Sequence, residues 1–69
     1  MSPDSLRQVT EVLRAHPDGL SAKETGEAVG VSRVTARRYL EHLADDGAVE
    51  RRPRYGGTGR PEVAYVWRR

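Results

Sequence analysis

Capping residues and glycines divide the first 47 residues into three helical segments, and this division limits the possible folds more than any other feature. The expected helix starts carry residues that favour the N-cap or the first turn: Ser2-Pro3, Ser21 with Glu24 in a capping box, and Ser32 with Thr35. The expected helix ends carry residues that break a helix: His16-Pro17-Asp18-Gly19, Gly30 and Gly47. The sequence therefore predicts three consecutive helices, the third running from about residue 32 to 45.

Apolar side chains recur at three- and four-residue spacing in the first and third segments, which predicts a core-facing side on each helix. In the third segment, about 100° of rotation per residue separates two groups of side chains. The core-facing residues are expected to be Ala36, Tyr39, Leu40 and Leu43. The outward-facing residues are expected to be Val34, Arg37, Arg38, Glu41 and Asp45.

The pattern changes after Gly47. Residues 48–52 are consistent with a strand, and residues 53–61 contain two prolines and three glycines, which predicts a loop. Val63, Tyr65 and Trp67 then alternate with other residues at period two, which predicts a second strand. Tyr65 and Trp67 are expected to pack on the helices. The predicted fold class is therefore mainly α with a C-terminal two-stranded β-hairpin.

Several classes of function are excluded by size and composition. The 69 residues are enough for one small domain, and no cysteine is present to form a disulfide or a thiolate metal site. His16 and His42 have no close carboxylate pair at metal-ligand spacing, and no nucleophile motif is found, so we expect no metal, no cofactor and no catalytic residue. No apolar run is long enough to span a membrane, and the N-terminus lacks a secretory signal. These features predict a cytoplasmic domain that is not an enzyme, with no small-molecule ligand evident.

Positive charge is concentrated in the second part of the chain. Residues 1–30 hold three basic and five acidic side chains, whereas residues 31–69 hold nine basic and five acidic ones. Eleven of the twelve basic residues are arginine, whose planar donors suit phosphate and base edges. Arginine also replaces lysine in GC-rich genomes, so the positions of the arginines must decide between these interpretations.

The residues from Ala22 to Leu40 resemble a helix-turn-helix motif. Gly26 stands where that family has a very small residue because its helices cross closely, and Gly30 stands at the turn. Thr25 departs from the family pattern, in which an apolar residue is usual, although its methyl group can still be buried. Core positions of the motif are matched by Val29, Val31, Ala36 and Tyr39. With the hairpin added, the whole chain resembles a winged helix-turn-helix domain, in which the hairpin is the wing.

Three longer stretches extend this resemblance. The segments SRVTARRYLEHL, DGAVE and YGGTGRPEVAYVWR are similar to the C-terminal DNA-binding domain of citrate/malate-type two-component response regulators. The similarity covers roughly residues 6–68. It implies that residues 1–69 are a single DNA-binding domain excised from a longer protein with a receiver domain. It also implies a bacterial transcriptional regulator that binds double-stranded DNA. We expect a monomer or weak dimer in isolation, and a dimer on DNA in the full-length protein.

The resemblance implies a role in DNA binding for the third helix, at about residues 32–45. Arg33 and Arg38 are the candidates for contacting guanine in the major groove, and Arg37 the candidate for contacting phosphate. Arg33 opposes the helix macrodipole, which is easier to understand if an anion binds there. Ser32 and Thr35 are expected to contact phosphate or base edges. A solvated arginine face balanced by Glu41 and Asp45 is the alternative interpretation.

Two positions near this helix remain open from the sequence. Val34 would either touch a thymine methyl group or pack on the second helix. Lys23, in the first turn of the second helix, would either bind backbone phosphate or be solvated.

The predicted wing, residues 53–61, carries a second group of candidate DNA contacts. These are Arg54, Tyr55, Thr58 and Arg60, placed around three glycines that allow the backbone to approach a phosphate. Arg60 suits a narrow minor groove. A hairpin tip with incidental charge is the alternative. Arg51 and Arg52 either flank the DNA or are solvated.

A second class of function fits the same features. A winged-helix domain can serve as a protein-interaction module, with its arginine-rich face docked on an acidic partner. Binding of RNA or single-stranded nucleic acid is less compatible with the sequence, because the stacking aromatic residues that such a surface needs are missing.

Overall fold

The computed structural model describes residues 2–54 and 62–68, and within them three helices and three strands follow one another. Their order along the chain is α1 (Pro3–Arg14), β1 (Leu20–Ser21), α2 (Ala22–Val29), α3 (Arg33–Asp45), β2 (Val49–Arg54) and β3 (Glu62–Trp67). The predicted wing residues Tyr55, Thr58 and Arg60 lie outside the described residues. The predicted mainly α class with a C-terminal hairpin is confirmed.

Each helix begins at the serine that the sequence predicts. The Oγ atom of Ser21 accepts a hydrogen bond from the backbone N–H of Glu24 at 3.1 Å, and a Glu24 carboxylate oxygen accepts one from the N–H of Ser21 at 2.9 Å. This reciprocal pair is the predicted capping box. Ser2 and Ser32 also accept hydrogen bonds from backbone N–H groups three residues later. The predicted helix starts are therefore confirmed.

The helix ends also follow the prediction. Gly30 has φ +79° and ends α2, and Gly47 has φ +78° just after α3. This left-handed conformation is strained for residues with a side chain, which explains the glycine at both positions.

One hydrophobic core joins all three helices to the sheet. Its buried members are Val9, Leu13, Leu20, Tyr39, Leu40, Leu43, Val49 and Tyr65. Trp67 is half-buried and packs against this cluster, so the predicted placement of Tyr65 and Trp67 on the helices is confirmed. The predicted core-facing side of α3 is also confirmed, because Ala36, Tyr39, Leu40 and Leu43 are all buried.

The described strands form one antiparallel sheet with the order β1-β3-β2. The two-residue strand β1 was not predicted, because two residues are too few to show a periodic pattern. Leu20 of β1 pairs with Tyr65 and Ser21 pairs with Ala64, so β3 lies between two strands. Burial along β3 does not alternate as the period-two pattern predicts, since the consecutive residues Ala64, Tyr65 and Val66 are all buried.

Strand β2 is longer than the sequence indicates. The predicted loop begins at Pro53, but Pro53 pairs with Val63 and Arg54 pairs with Glu62. Pro53 and Arg54 therefore belong to a strand, and the predicted start of the loop at Pro53 is wrong. Proline is tolerated here because β2 is an edge strand, where an N–H group facing away from the sheet is not needed for pairing.

Close packing explains why Thr25 and Gly26 occupy their positions in α2. Thr25 is fully buried, and its hydroxyl donates a hydrogen bond to the carbonyl oxygen of Ser21 at 2.8 Å, so its polar atom is satisfied. A Cβ atom added at Gly26 would lie 2.7 Å from the carbonyl oxygen of Val31. The predicted need for a very small residue is thus confirmed, but the close neighbour is the backbone of the turn before α3.

Candidate nucleic-acid interface

The exposed surface of α3 carries its three candidate DNA-contacting arginines. Arg33, Arg37 and Arg38 are exposed, and Val34 between them is 61% exposed. Val34, Arg37 and Arg38 lie opposite the buried face of the same helix, as the helical wheel predicts, whereas Arg33 lies in the first turn. Packing of α3 on the core therefore directs these four side chains to solvent.

A shallow groove lies beside these residues and joins three elements of the fold. Its walls include Lys23 from the start of α2, Arg33, Val34 and Arg37 from the first two turns of α3, and Val63 from the start of β3. The tertiary structure thus brings Lys23 to the same surface as the α3 arginines. The position of Val63 in this groove was not predicted. The alternating pattern of β3 predicts its side chain on the same face as Tyr65 and Trp67, which pack on the helices.

Ion pairs separate the arginines into two groups. The arginines of β2 all have carboxylate partners within 4.0 Å: Arg51 with Glu41 and Asp45, Arg52 with Glu50, and Arg54 with Glu24 and Glu62. Within residues 2–54 and 62–68, no such pair involves the four cations along the groove and α3, namely Lys23, Arg33, Arg37 and Arg38. Glu41 and Asp45, the residues expected to balance the α3 arginines, pair with Arg51 instead.

The carboxylate of Glu41 joins α3 to the middle of the sheet. It accepts hydrogen bonds from Arg51 on β2, including one from Nε to Oε2 at 3.1 Å. It also accepts one from the Tyr65 hydroxyl on β3 at 2.6 Å. The bonds from Arg51 and then Tyr65 lower the pKa of Glu41 to about 2. Burial, and then the bond to Glu41, raise the pKa of Tyr65 to about 12.

This arrangement predicts a loss of stability in acid. The pKa of Glu41 lies below its ordinary value of 4.5, so its stabilising effect is complete above about pH 4.5 and is lost as the pH falls towards 2. Glu41→Gln should therefore lower the free energy of unfolding at pH 7, and the difference from the wild type should shrink as the pH approaches 2. Urea unfolding followed by circular dichroism at several pH values measures this difference.

Glu27→Gln is the matched control for the Glu41 experiment. Glu27 is exposed, and no hydrogen bond or ion pair of its side chain is found among the described residues. Its substitution should leave the pH dependence of unfolding unchanged. A Glu41→Gln curve parallel to the wild type from pH 7 to 2 would contradict the role assigned to Glu41.

Arg54 is held at the base of the wing by three acceptors. Its Nη1 atom donates to Glu24 at 2.8 Å and to Glu62 at 3.2 Å, and its Nη2 atom donates to the carbonyl oxygen of Gly19 at 3.1 Å. The same Glu24 oxygen completes the capping box of α2, and the bonds from Ser21 and then Arg54 lower the pKa of Glu24. Arg54 thus connects β2 to α2 and β3. Its predicted contact with DNA stays a prediction.

Ser32 and Thr35 lie together at the N-terminus of α3. The Ser32 Oγ atom accepts from the backbone N–H of Thr35 at 3.1 Å and lies 3.0 Å from Thr35 Oγ1, to which it donates. The Ser32 hydroxyl is therefore engaged in capping the helix. Since Thr35 Oγ1 acts as the acceptor in that bond, its own hydrogen can be donated to a phosphate or base oxygen.

The two histidines have local interactions. Nδ1 of His16 lies 2.7 Å from the carbonyl oxygen of Val12, and Nε2 of His42 lies 3.6 Å from the Asp46 carboxylate. Across residues 2–54 and 62–68, no group of three histidine, cysteine or carboxylate side chains is arranged to hold a metal ion. Nor does that part of the chain contain a helix with the length and apolar character needed to cross a membrane.

Two solved structures resemble this fold over almost the whole chain. The crystal structure of Rv1404 from Mycobacterium tuberculosis matches with a TM-score of 0.74 and 18% identity, covering 99% of this chain and 44% of that chain. The crystal structure of MepR, a transcription regulator of a Staphylococcus aureus multidrug efflux pump, matches with a TM-score of 0.65 and 15% identity, covering 99% and 47%. At these identities the matches show the fold alone, and they confirm the predicted winged helix.

Curated proteins of higher identity agree with the resemblance predicted from the sequence. The probable C4-dicarboxylate response regulator DctR of Bacillus subtilis is 44% identical over 62 residues, which are 90% of this chain and 27% of that protein. The transcriptional regulatory protein CitT of B. subtilis is 44% identical over 88% of this chain and 27% of its own length. DcuR of Escherichia coli K12, also a transcriptional regulatory protein, is 35% identical over 94% and 28%.

The chain thus spans about a quarter of the length of these relatives. Their names confirm the predicted similarity to response regulators. A family model described as "HTH domain" matches residues 5–57, a range that includes all of α2 and α3. Because that match covers well over half of the chain and agrees with the helix-turn-helix geometry of α2 and α3, the chain belongs to this helix-turn-helix domain family.

Proposed function

We propose that this domain binds double-stranded DNA sequence-specifically as the effector domain of a bacterial transcriptional regulator. The observation that carries the proposal is the group of four cations, Lys23, Arg33, Arg37 and Arg38, that have no ion pair within the described part of the chain. Positive side chains that are not neutralised by the protein are available to the phosphates and base edges of DNA.

The position of α3 suits insertion into the major groove. The helix is held by its buried face, and the side chains of Arg33, Arg37 and Arg38 are exposed. In helix-turn-helix proteins the first residues of the recognition helix contact base edges. We therefore assign Arg33 and Arg38 to guanine, and Arg37 and Lys23 to phosphate. Ser32 and Thr35 are assigned to phosphate or base edges at the helix N-terminus.

The wing is assigned to the adjacent backbone or minor groove. The sequence predicts residues 53–61 as the wing, and Tyr55, Thr58 and Arg60 remain its candidate contacts with DNA. Arg54 lies at its base, where its ion pairs with Glu24 and Glu62 connect β2 to α2 and β3. In this proposal the wing follows strand β2, which Arg54 connects to α2 of the helix-turn-helix.

The names of the relatives support a role in transcription. They include response regulators and transcriptional regulatory proteins, each more than three times the length of this chain. We therefore propose that the domain works in the cytoplasm as part of a longer regulator with a receiver domain, and that dimerisation on DNA depends on that longer protein. Docking on an acidic protein is not favoured, because these relatives are named as regulators of transcription.

Salt dependence separates duplex binding from docking on a protein. In vitro selection should first provide a preferred duplex, and fluorescence anisotropy should then measure its affinity at several salt concentrations. The logarithm of the affinity should fall linearly with the logarithm of the salt concentration, with a slope near −0.9 for each phosphate contacted. Failure to select any preferred duplex would contradict the proposal.

Arg38→Ala and Arg60→Ala should weaken DNA binding in different ways. Arg38→Ala should cost roughly 1–3 kcal/mol on the selected duplex and relax the preference at one base pair. Arg60→Ala should weaken binding evenly across sequences and make the salt slope shallower by about one. Anisotropy titrations on selected and scrambled duplexes, at several salt concentrations, measure both effects.

Arg7→Ala is the matched control, because Arg7 is an exposed arginine on α1, away from the groove. Arg7→Ala should leave the affinities for the selected and the scrambled duplex close to those of the wild type. If Arg38→Ala lowers the affinity equally for both duplexes, Arg38 contacts phosphate and its assignment to guanine is wrong. If neither Arg38→Ala nor Arg60→Ala changes DNA binding, the proposed function itself is wrong.

A further inference from the structure

Two valines are exposed in the groove beside α3. Within residues 2–54 and 62–68, Val34 at 61% and Val63 at 44% are the exposed large hydrophobic residues. They come from different elements, the first turn of α3 and the start of β3, and they line the same groove. The exposure of Val34 disfavours the alternative in which its side chain is buried against α2.

The surroundings of these valines are positively charged. Lys23, Arg33 and Arg37 line the same groove, and none of them has a carboxylate partner within the described part of the chain. Glu62 also lines the groove, but its carboxylate binds Arg54. An apolar contact surrounded by cations fits a ligand that is polyanionic overall and carries a local apolar group.

Duplex DNA has this chemistry in the major groove. Its base edges present hydrogen-bond donors and acceptors together with one apolar group, the C5 methyl of thymine. Burial of a methyl group against a valine side chain is favourable because it removes apolar surface from water. Cytosine has hydrogen at the same position and offers no such contact.

We propose that Val34 and Val63 form an apolar contact for the methyl group of one thymine in the recognised DNA site. The inference rests on the proposed function and adds a base preference to it. Val34 makes the principal contact because it lies on α3 between two exposed arginines, and Val63 adds apolar surface to the same groove. The arginines then bind guanine and phosphate on either side of this thymine.

Replacing thymine by deoxyuridine tests the contact, because the substitution removes only the methyl group. Each thymine of the selected duplex is replaced in turn, and affinities are measured by anisotropy. For the wild-type protein, one position should lose about three- to fivefold in affinity, as expected for burial of one carbon group. Val34→Ala should bind the unmodified duplex more weakly and show no further loss with deoxyuridine at that position. Val63→Ala should reduce the loss at the same position.

Arg38→Ala serves as the matched control on the same helix. It should bind more weakly but retain the full deoxyuridine effect, because its substitution does not remove the apolar contact. Since Val34 is exposed, Val34→Ala should keep the thermal midpoint of the wild type, which separates a contact effect from unfolding.

Two results would overturn the inference. They are a selected duplex in which no thymine responds to deoxyuridine, and a Val34→Ala protein that retains the loss at the responding position. In both cases salt-dependent binding of the selected duplex would persist, and the proposed function would stand. Failure of the wild-type domain to prefer any duplex would instead overturn the proposed function together with the inference.

Discussion

Leu40→Ala will lower the free energy of unfolding by about 2–5 kcal/mol. Leu40 is fully buried on α3 and belongs to the cluster that includes Leu13, Leu43 and Val49. The substitution removes apolar contacts and leaves a cavity that the surrounding helices fill only in part. A domain of this size has a small margin of stability, so the loss should leave the variant largely unfolded at 37 °C. Urea unfolding followed by circular dichroism measures the change.

Val34→Ala is the control for this experiment. It lies on the same helix but is 61% exposed, so its free energy of unfolding should remain within about 0.5 kcal/mol of the wild type. Comparing Leu40→Ala with Val34→Ala separates the effect of burial on stability from the effect of helix propensity, since both substitutions introduce alanine into α3. Equal effects of the two substitutions would contradict the assignment of the buried face of α3.

Gly26→Ala will also destabilise the domain, although alanine is the better helix former. In an exposed helix the exchange would stabilise by about 1 kcal/mol. Here the added Cβ would lie 2.7 Å from the carbonyl oxygen of Val31, an atom of the backbone that cannot rotate away. The turn between α2 and α3 must therefore shift, and overpacking of this kind costs about 1–3 kcal/mol. The thermal midpoint should fall accordingly.

Ala28→Gly provides the matched control in α2. Ala28 is exposed, and its replacement by glycine should cost about 1 kcal/mol through helix propensity alone. Gly26→Ala should destabilise even though propensity favours it. A Gly26→Ala domain more stable than the wild type would show that the turn adapts easily and that the close approach at Val31 is unimportant.

Gly26 also matters for the proposed function. The turn at Val31 and Ser32 leads directly into α3, so any shift of this backbone changes the position of Arg33 and Arg37 relative to Lys23. We therefore expect Gly26→Ala to weaken DNA binding even at temperatures where the domain remains folded. Anisotropy and circular dichroism on the same sample separate the two effects.

Helix boundaries were predictable because their signals are local. The capping bonds of Ser21 and Ser32 join residues three positions apart, and the left-handed Gly30 directly follows α2. The same holds for the buried face of α3, since a period of 3.6 residues is set by the helix itself. Arg37 and Arg38 could be assigned to the outward side for this reason.

The strands were less predictable because pairing depends on distant residues. β1 consists of two residues, Leu20 and Ser21, and exists only because β3 passes beside it. Pro53 can belong to β2 because β1 pairs with the other side of β3, which leaves β2 at the edge of the sheet. Neither the existence of β1 nor the inclusion of Pro53 in β2 is indicated by the residues that surround it in the sequence.

The sequence by itself determined three helices, their caps, the core-facing side of α3 and the presence of many arginines in the second part of the chain. Only the tertiary structure decided which of the described arginines are neutralised. Arg54 meets Glu24, thirty positions away along the chain, and Arg51 meets Glu41. An ion pair requires two charges within about 4 Å, and that distance is set by where the folded chain places β2 relative to α2 and α3. The physical reason is that caps and periodicity depend on neighbouring residues, whereas charge pairing depends on the packing of whole elements.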